Sequence, residues 1–188
     1  MSNLDRLKAQ FEVMVGLVDR VASGNVRGLI ISGPAGIGKT FNVVSALKSY
    51  RDNVAPLAER ESIINICTGH MTPVGLVEAL WNNRHQSNVL VLDDIDTVFD
   101  KLDSLNILKA ALDSGEERVI SYMTQNQTLK KAGVPKQFVY NGSVILITNQ
   151  DMENASGKLA PHFKALISRC YYFDLGFTGP EEIGRAHV

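Results

Sequence analysis

The sequence predicts an α/β fold, a doubly wound and mostly parallel sheet with helices on both faces. Three observations predict it. Short apolar, β-branched runs alternate with segments whose apolar residues recur at helical spacing. A glycine-rich loop stands between the first such run and the next helix, and a later run ends in two adjacent carboxylates. Folds of this kind bind ligands at the carboxyl ends of their strands.

The predicted elements follow the chain in order. The predicted strands are 29–32, 63–67, 89–92, 118–122, 137–140, 144–148 and 170–173. The predicted helices are 3–22, 39–50, 73–83, 105–112 and a segment that ends at Leu166. Thr72 followed by Pro73 is typical of a helix start, and Ser104 is expected to cap the helix after it. The strand 89–92 is apolar throughout, which indicates an interior position in a parallel sheet.

Composition limits the classes of function. The chain has 188 residues, of which 45% are hydrophobic, and its net charge is −1. A charge this small requires any nucleic-acid binding to come from a local basic patch. No apolar run approaches the roughly 20 residues that span a bilayer, and charged residues precede any apolar stretch at the N-terminus. A cytoplasmic protein without membrane partners is therefore expected, with Cys67 and Cys170 as reduced thiols outside any metal-ligand spacing.

The glycine-rich loop fits the phosphate-binding pattern G-x-x-x-x-G-K-[ST] at every position. Its residues are Gly33, Pro34, Ala35, Gly36, Ile37, Gly38, Lys39 and Thr40. Glycines allow the backbone N–H groups to surround phosphate, and the following helix adds its positive end. Lys39 is expected to face solvent and reach the β- and γ-phosphates of ATP, with the Thr40 hydroxyl as a Mg²⁺ ligand. A dinucleotide-binding reading fails because Phe41 stands where a third glycine belongs.

The strand at 89–92 leads into paired carboxylates, a Walker B pattern. Asp93 is expected to hold Mg²⁺, and Asp94 to orient or deprotonate the attacking water. With the phosphate loop, this pattern resembles the AAA+ ATPases over nearly the whole chain. Most members carry glutamate at the position of Asp94, although initiator-type members have paired aspartates. The shorter side chain bears on the hydrolysis rate rather than on binding.

The resemblance to AAA+ proteins implies two further catalytic residues. Asn149, after the strand 144–148, takes the place of the polar sensor residue that holds the lytic water. The segment Ser168-Arg169-Cys170 resembles that of clamp loaders, which makes Arg169 an arginine finger acting on a neighbouring subunit in a homo-oligomer. The alternative for Arg169 is a surface arginine. Arg118 is a second, weaker candidate for contact in trans, and the guanine-reading motif N-K-x-D is absent.

Two segments are candidates for contact with a remodelled substrate. His70 and Met71 follow the second strand, where many AAA+ proteins place a pore-facing loop. Lys130, Lys131 and Lys136 lie between the two strands that precede the sensor strand, and this region resembles a hairpin of some AAA+ helicases. Solvated surface residues are the alternative in both cases.

The predicted organisation is an amphipathic helix over residues 1–24, a nucleotide-binding core over 25–176 and the start of a truncated helical lid over 177–182. Residues 183–188 are interpreted as a non-native tail, because one reverse translation of them resembles a sequencing adapter.

Three functions are compatible with these patterns. The first is an oligomeric AAA+ ATPase, similar to those of phages and mobile elements, that remodels a nucleic-acid or replication complex. The second is an AAA+ remodeller of proteins. The third, a P-loop small-molecule kinase, is disfavoured because no arginine-rich closing lid is visible.

Overall fold

The computed structural model describes residues 3–53 and 64–176 and has the predicted fold class, a parallel sheet between two layers of helices. Its helices are α1 (Asn3–Ala22), α2 (Lys39–Asn53), α3 (Pro73–Asn82), α4 (Leu102–Ala111), α5 (Gln127–Lys131) and α6 (Ala160–Ile167). Its strands are β1 (Gly28–Ser32), β2 (Ile64–Thr68), β3 (Val89–Asp93), β4 (Val119–Ser121), β5 (Gln137–Val139), β6 (Ser143–Ile147) and β7 (Tyr171–Asp174). A short 3₁₀ helix spans Asp96–Val98.

Five strands form the central sheet in the order β2-β3-β6-β1-β7, and all neighbouring pairs are parallel. Ile30 of β1 lies opposite Leu146 of β6 on one side and Tyr172 of β7 on the other. The strand predicted to be interior, β3, is confirmed between β2 and β6. Because β6 separates β1 from β3, the residues that follow β6 lie between the glycine-rich loop and the paired carboxylates.

Alternate residues of the strands pack on opposite faces of the sheet, as the period of two requires. One face packs against α1 and α2, and its strand residues are Leu29, Ile31, Val89, Val91, Ile145, Ile147 and Phe173. The other face packs against α3, α4 and α6, and its strand residues are Ile30, Leu90, Leu92, Val144, Leu146 and Tyr172. Both faces of the sheet are covered, which explains why β1, β3 and β6 have runs of consecutive apolar residues instead of alternating apolar and polar ones.

The strands predicted at 118–122 and 137–140 are confirmed as β4 and β5, and they form an antiparallel pair separate from the central sheet. Their connection, expected to be a polar loop, contains α5. The Oδ1 atom of Asn126 accepts hydrogen bonds from the backbone N–H groups of Thr128 and Leu129 and so caps this helix. Lys130, Lys131 and Lys136 are exposed on this hairpin.

The predicted cap at Thr72 is confirmed, because its hydroxyl accepts a hydrogen bond from the Gly75 N–H at 3.2 Å. The predicted cap at Ser104 is wrong. The helix α4 begins earlier, at Leu102, and Ser104 is buried in its first turn, where its Oγ has no hydrogen-bond partner among the described residues. Lys101 occupies the capping position without a side-chain bond.

Residues 177–188, which include the predicted start of a lid and the predicted non-native tail, lie outside the described residues, and the division into domains stays a prediction. The helix α1 packs on the same apolar core as α2. None of the helices in the described part of the chain is both long and apolar enough to cross a bilayer.

Candidate functional site

The glycine-rich loop connects β1 to α2 at the carboxyl edge of the sheet. Gly36 and Gly38 have φ angles of 78° and 94°, in the left-handed region that side chains other than glycine rarely adopt. The loop therefore needs glycine at these two positions to turn directly from the strand into the helix. The first turn of α2, with its positive dipole end, opens on the same space as the loop.

Lys39 is buried, with 6% of its surface exposed, so the expectation of a solvent-facing side chain is wrong. Its Nζ atom donates to the carbonyl oxygens of Gly33 at 2.7 Å and Pro34 at 2.8 Å, and to Oδ1 of Asn149 at 2.8 Å. Burial lowers the pKa of Lys39 from 10.5, against the carboxylates led by Asp94, which raise it. The loop holds the ammonium group at its centre rather than leaving it in water.

Asp93 contacts the phosphate loop because of its parity in β3. It has the same parity as Val89 and Val91, and therefore lies on the face of the sheet that carries α2. Its Oδ1 accepts a hydrogen bond from the Thr40 hydroxyl in the first turn of α2 at 2.8 Å. The two residues predicted to bind Mg²⁺ are thus adjacent.

Asp94 has a φ of 54°, the one left-handed φ of a non-glycine residue in the described part of the chain. This conformation turns the backbone sharply after β3, and the Asp94 N–H donates to the carbonyl of Ile147 in β6 at 3.0 Å. The exposed carboxylate of Asp94 accepts a hydrogen bond from Nδ2 of Asn149 at 2.8 Å. Asn149 therefore bridges Asp94 and Lys39, its amide nitrogen toward one and its oxygen toward the other.

A third carboxylate, Asp96, was given no role in the site by sequence reasoning, but it bonds to the residue next to Asn149. Asp96 accepts a hydrogen bond from the buried hydroxyl of Thr148 at 3.0 Å, and the same hydroxyl accepts one from the N–H of Gln150. These bonds fix the backbone on both sides of Asn149. The signal available in the sequence was the spacing of three aspartates, one at the end of β3 and two directly after it.

Sequence reasoning also missed a polar group at the end of β7. The Ser32 hydroxyl donates to Oδ1 of Asp174 at 2.8 Å and lies 2.8 Å from the hydroxyl of Tyr172. Burial raises the pKa of Tyr172 to about 12, so its hydroxyl stays protonated. These bonds connect Ser32, the last residue before the glycine-rich loop, to β7. The signal in the sequence was Asp174, an acidic residue at the end of a strand, as Asp93 is at the end of β3.

The side chains at this edge line an open cleft of about 420 Å³, within the range of small-molecule sites. Its chemistry fits Mg·ATP. The loop has backbone N–H groups suited to phosphate, whereas Thr40 and Asp93 have the oxygen ligands that Mg²⁺ prefers. Among the described residues no group of three or more His, Cys, Asp or Glu side chains is arranged to hold a metal ion. A cation here would need oxygens of the nucleotide to complete its shell, as is usual for Mg²⁺.

Arg169 lies at the opposite, amino edge of the sheet, just before β7. Its Nη1 donates to the carbonyl of Ala165 at 2.6 Å, and its Nε lies 3.6 Å from Oδ1 of Asp113. The Nε atom is buried without a hydrogen-bond partner within the described ranges. The structure therefore does not bring Arg169 to the cleft of its own chain.

Arg118, the weaker candidate for contact with a neighbouring subunit, is buried and bonded inside the chain. Its Nη1 donates to the carbonyl of Ala111 at 2.9 Å, and its guanidinium lies 5.1 Å from the ring centroid of Tyr140. Arg118 is therefore not available in this structure for contact with a neighbouring subunit.

The loop after β2 is only partly available to a substrate. His70 is exposed, but Met71 is half-buried and packs against the core. The Met71 N–H donates to the Thr97 hydroxyl at 3.2 Å. Of the two predicted contact residues, His70 alone extends freely from the surface.

Comparisons with known proteins agree with the resemblance to phage proteins and say little about activity. No protein-family model matches the chain. A protein of Enterobacteria phage T4, described as an uncharacterized 36.7 kDa protein in the nrdC-mobD intergenic region, is 42% identical over 181 residues. The match covers 95% of this chain and 54% of that protein, so the chain spans about half the length of its relative.

A solved structure of Rhizobiales Trip13 is 12% identical, with a TM-score of 0.41, and the match covers 90% of this chain and 62% of that one. A likeness at this level carries no functional conclusion.

Proposed function

We propose that this chain binds Mg·ATP in the cleft at the carboxyl edge of the sheet and hydrolyses it as the core of an AAA+ ATPase. One observation carries the proposal. Lys39, Thr40, Asp93, Asp94 and Asn149 come from three separate strand ends, and hydrogen bonds of 2.8 Å connect them in two groups around one cleft. A chance glycine-rich turn has no reason to meet carboxylates and an amide from two other strands.

Binding is assigned to the loop, Lys39, Thr40 and Asp93. The loop N–H groups and the α2 dipole favour phosphate, and Lys39 would exchange one of its three bonds to oxygens of the chain for a phosphate oxygen. Thr40 and Asp93 would hold Mg²⁺, which neutralises charge on the phosphate oxygens. The lowered pKa of Lys39 reflects the desolvation of an ammonium group, which an anionic ligand compensates.

Hydrolysis is assigned to Asp94 and Asn149. Asp94 is the exposed carboxylate of the pair and accepts or orients the proton of the attacking water. Asn149 donates to Asp94 and holds it on the Lys39 side of the cleft without adding charge. The aspartate is one methylene shorter than glutamate, and its left-handed backbone sets the direction in which it reaches.

Arg169 is proposed to act on the site of a neighbouring subunit in a homo-oligomer. It precedes β7, whereas the cleft lies beyond the far end of the adjacent β1. Four strand residues separate these edges, about 13 Å at the rise of a strand. Arg169 therefore reaches a γ-phosphate only across an interface, where an arginine stabilises the charge of the transition state.

The proposed process is remodelling of a nucleic-acid or replication complex in the host cytoplasm. The exposed lysines on the β4–β5 hairpin and the phage origin of the relative support it. Remodelling of proteins is the second candidate, favoured by the exposed His70 on the loop after β2. No feature of the site favours the small-molecule kinase.

The test is a titration with a fluorescent ATP analogue in the presence and absence of Mg²⁺, followed by measurement of phosphate release. We expect Mg²⁺-dependent binding and slow hydrolysis, both lost in Lys39→Ala. Single-stranded or duplex DNA should raise the turnover, whereas an unfolded protein should not. Stimulation by the unfolded protein alone would favour the second process, and failure to bind any nucleotide would refute the assignment of the cleft.

A further inference from the structure

Phe41 is an aromatic side chain that the fold leaves in water. The buried residues of α2 are Lys39, Val43, Ala46 and Leu47, at the spacing of one helical face. Phe41 lies off this face, and 74% of its surface is exposed. It contributes little to the core, so its packing does not explain a large apolar residue in the first turn of the helix.

The position of Phe41 relative to the cleft suggests what it contacts. It follows Thr40 directly and lines the same cleft as Lys39, Asp93 and Asn149. The polar and charged side chains that line this cleft suit phosphate and Mg²⁺, and the other apolar side chains in the lining are the small Ala35 and the buried Ile147. Phe41 adds an apolar surface at the rim, within one helical turn of Lys39.

We propose that Phe41 is a stacking surface for the nucleoside base of the bound nucleotide. This inference rests on the proposed nucleotide binding and assigns the part of the ligand that the phosphate loop does not recognise. A base has an apolar π-face that stacks on aromatic rings irrespective of its hydrogen-bonding edge. Phe41 therefore increases affinity for nucleotides over inorganic polyphosphate without selecting one base.

An exposed aromatic residue also suits contact with a second copy of the chain. The base is favoured because Phe41 lines the same cleft as Lys39 and Thr40. Nucleotide binding and self-association, measured on the same Phe41 variants, separate the two occupants.

The test compares Phe41→Ala, Phe41→Tyr and the wild type for binding of Mg·ATP and of Mg·tripolyphosphate by calorimetry. Val13→Ala is the matched control, since Val13 is an apolar residue on α1 that is 53% exposed and does not line the cleft. We expect Phe41→Ala to weaken ATP binding about 5- to 100-fold and to leave tripolyphosphate binding unchanged. Phe41→Tyr should retain the affinity for ATP, and Val13→Ala should change neither ligand.

Several outcomes would overturn the stacking role while leaving the proposed function intact. Unchanged ATP affinity in Phe41→Ala would show that the base lies elsewhere. Equal loss for both ligands would show that Phe41 supports the loop. A change confined to self-association, measured by sedimentation, would assign the ring to a second copy of the chain. If the wild type binds neither ATP nor tripolyphosphate, the proposed function itself fails.

Discussion

The two edges of the central sheet each carry a cleft and several charged residues, but they use charge in opposite ways. The carboxyl edge has the cleft of about 420 Å³, where Lys39, Asp94 and Asn149 bond to one another. The amino edge has a cleft of about 350 Å³ lined by Arg27 and Arg169, among others. There the arginines bond mainly to carbonyl oxygens of their own chain.

Helix direction explains this difference. In a parallel sheet with crossover helices, each helix begins near the carboxyl edge of the sheet. The positive amino ends of the helices therefore lie at this edge, as the amino end of α2 does. The helices end at the amino edge, where unpaired carbonyl oxygens collect. Arg118 and Arg169 donate to carbonyl oxygens in the last turns of α4 and α6. Arg27 donates to the carbonyl oxygens of Asp113 and Gly115, in the loop after α4. The positive helix ends at the carboxyl edge favour anionic ligands. At the amino edge the arginines are already bonded to carbonyl oxygens at or after the ends of helices.

The largest expected effect is at the carboxyl edge. Lys39→Ala should weaken ATP binding by at least about 100-fold, on the scale of removing one partner of a buried charge pair. The fold should persist. Because burial lowers the pKa of Lys39, the folded state binds this proton less tightly than the unfolded chain, and the residue's contribution to stability rises as pH rises toward 10.5. Its charge therefore does not stabilise the fold at neutral pH.

Analogue titration and thermal melting check this prediction together. Lys39→Met, which keeps most of the apolar stem, serves as the second variant if the alanine variant melts early. Wild-type affinity for ATP in a folded Lys39→Ala variant would contradict the assignment of the carboxyl edge as the nucleotide site.

The paired aspartates should separate binding from hydrolysis. Asp94→Asn should keep Mg·ATP binding and stop hydrolysis, because it removes the exposed carboxylate that faces the water. Asp93→Asn should instead shift the Mg²⁺ concentration needed for binding, because Asp93 lies against Thr40. A Mg²⁺ titration of binding and of phosphate release distinguishes the two. Normal hydrolysis in both variants would contradict the Walker B assignment.

The sequence predicted the carboxyl edge better than the amino edge, for a physical reason. Phosphate chemistry needs given residue types at fixed spacings, so the loop and the paired aspartates were visible as patterns, and strand parity places Asp93 beside α2. The environment of Lys39 was not visible, because one of the three acceptors around its ammonium group is Asn149, which lies 110 positions away. The burial of Arg118 likewise depends on Tyr140, across a hairpin whose pairing the sequence alone does not fix.

The next largest expected effect is at Arg169, which lies at the amino edge of its own chain but is proposed to act in the nucleotide cleft of a neighbouring subunit. In oligomeric protein, Arg169→Ala should leave ATP binding unchanged and lower kcat by about 10³-fold or more. Mixing Arg169→Ala with Lys39→Ala subunits should restore part of the activity, since a mixed interface pairs an intact loop with an intact arginine. Wild-type turnover by a monomeric Arg169→Ala variant would make Arg169 a structural residue like its neighbours.

Arg118, also at the amino edge, is expected to affect folding stability and not turnover. Arg118→Met should destabilise the fold by about 1–3 kcal/mol, because the carbonyl of Ala111 loses a charged donor and Tyr140 loses its stacked guanidinium. Turnover per folded subunit should not change. Denaturant unfolding and ATPase assays on the same preparation measure both quantities, and loss of turnover without loss of stability would return Arg118 to the candidates for contact in trans.

The smallest expected effect is at Asp113, which holds Arg169 at 3.6 Å in an ion pair that is partly exposed on both sides. Pairs of this kind contribute at most about 1 kcal/mol, so Asp113→Asn should barely change the free energy of unfolding. If Arg169 leaves this contact to reach a neighbouring subunit, loss of the carboxylate removes a competitor and turnover should rise slightly in the oligomer. Asp103→Asn is the control, because Asp103 is an exposed aspartate in the first turn of α4, at the other end of that helix from Asp113, and has no part in this pair. A fall in turnover specific to Asp113→Asn would contradict this expectation. It would mean that the ion pair with Asp113 holds Arg169 in the conformation that contacts the neighbouring subunit.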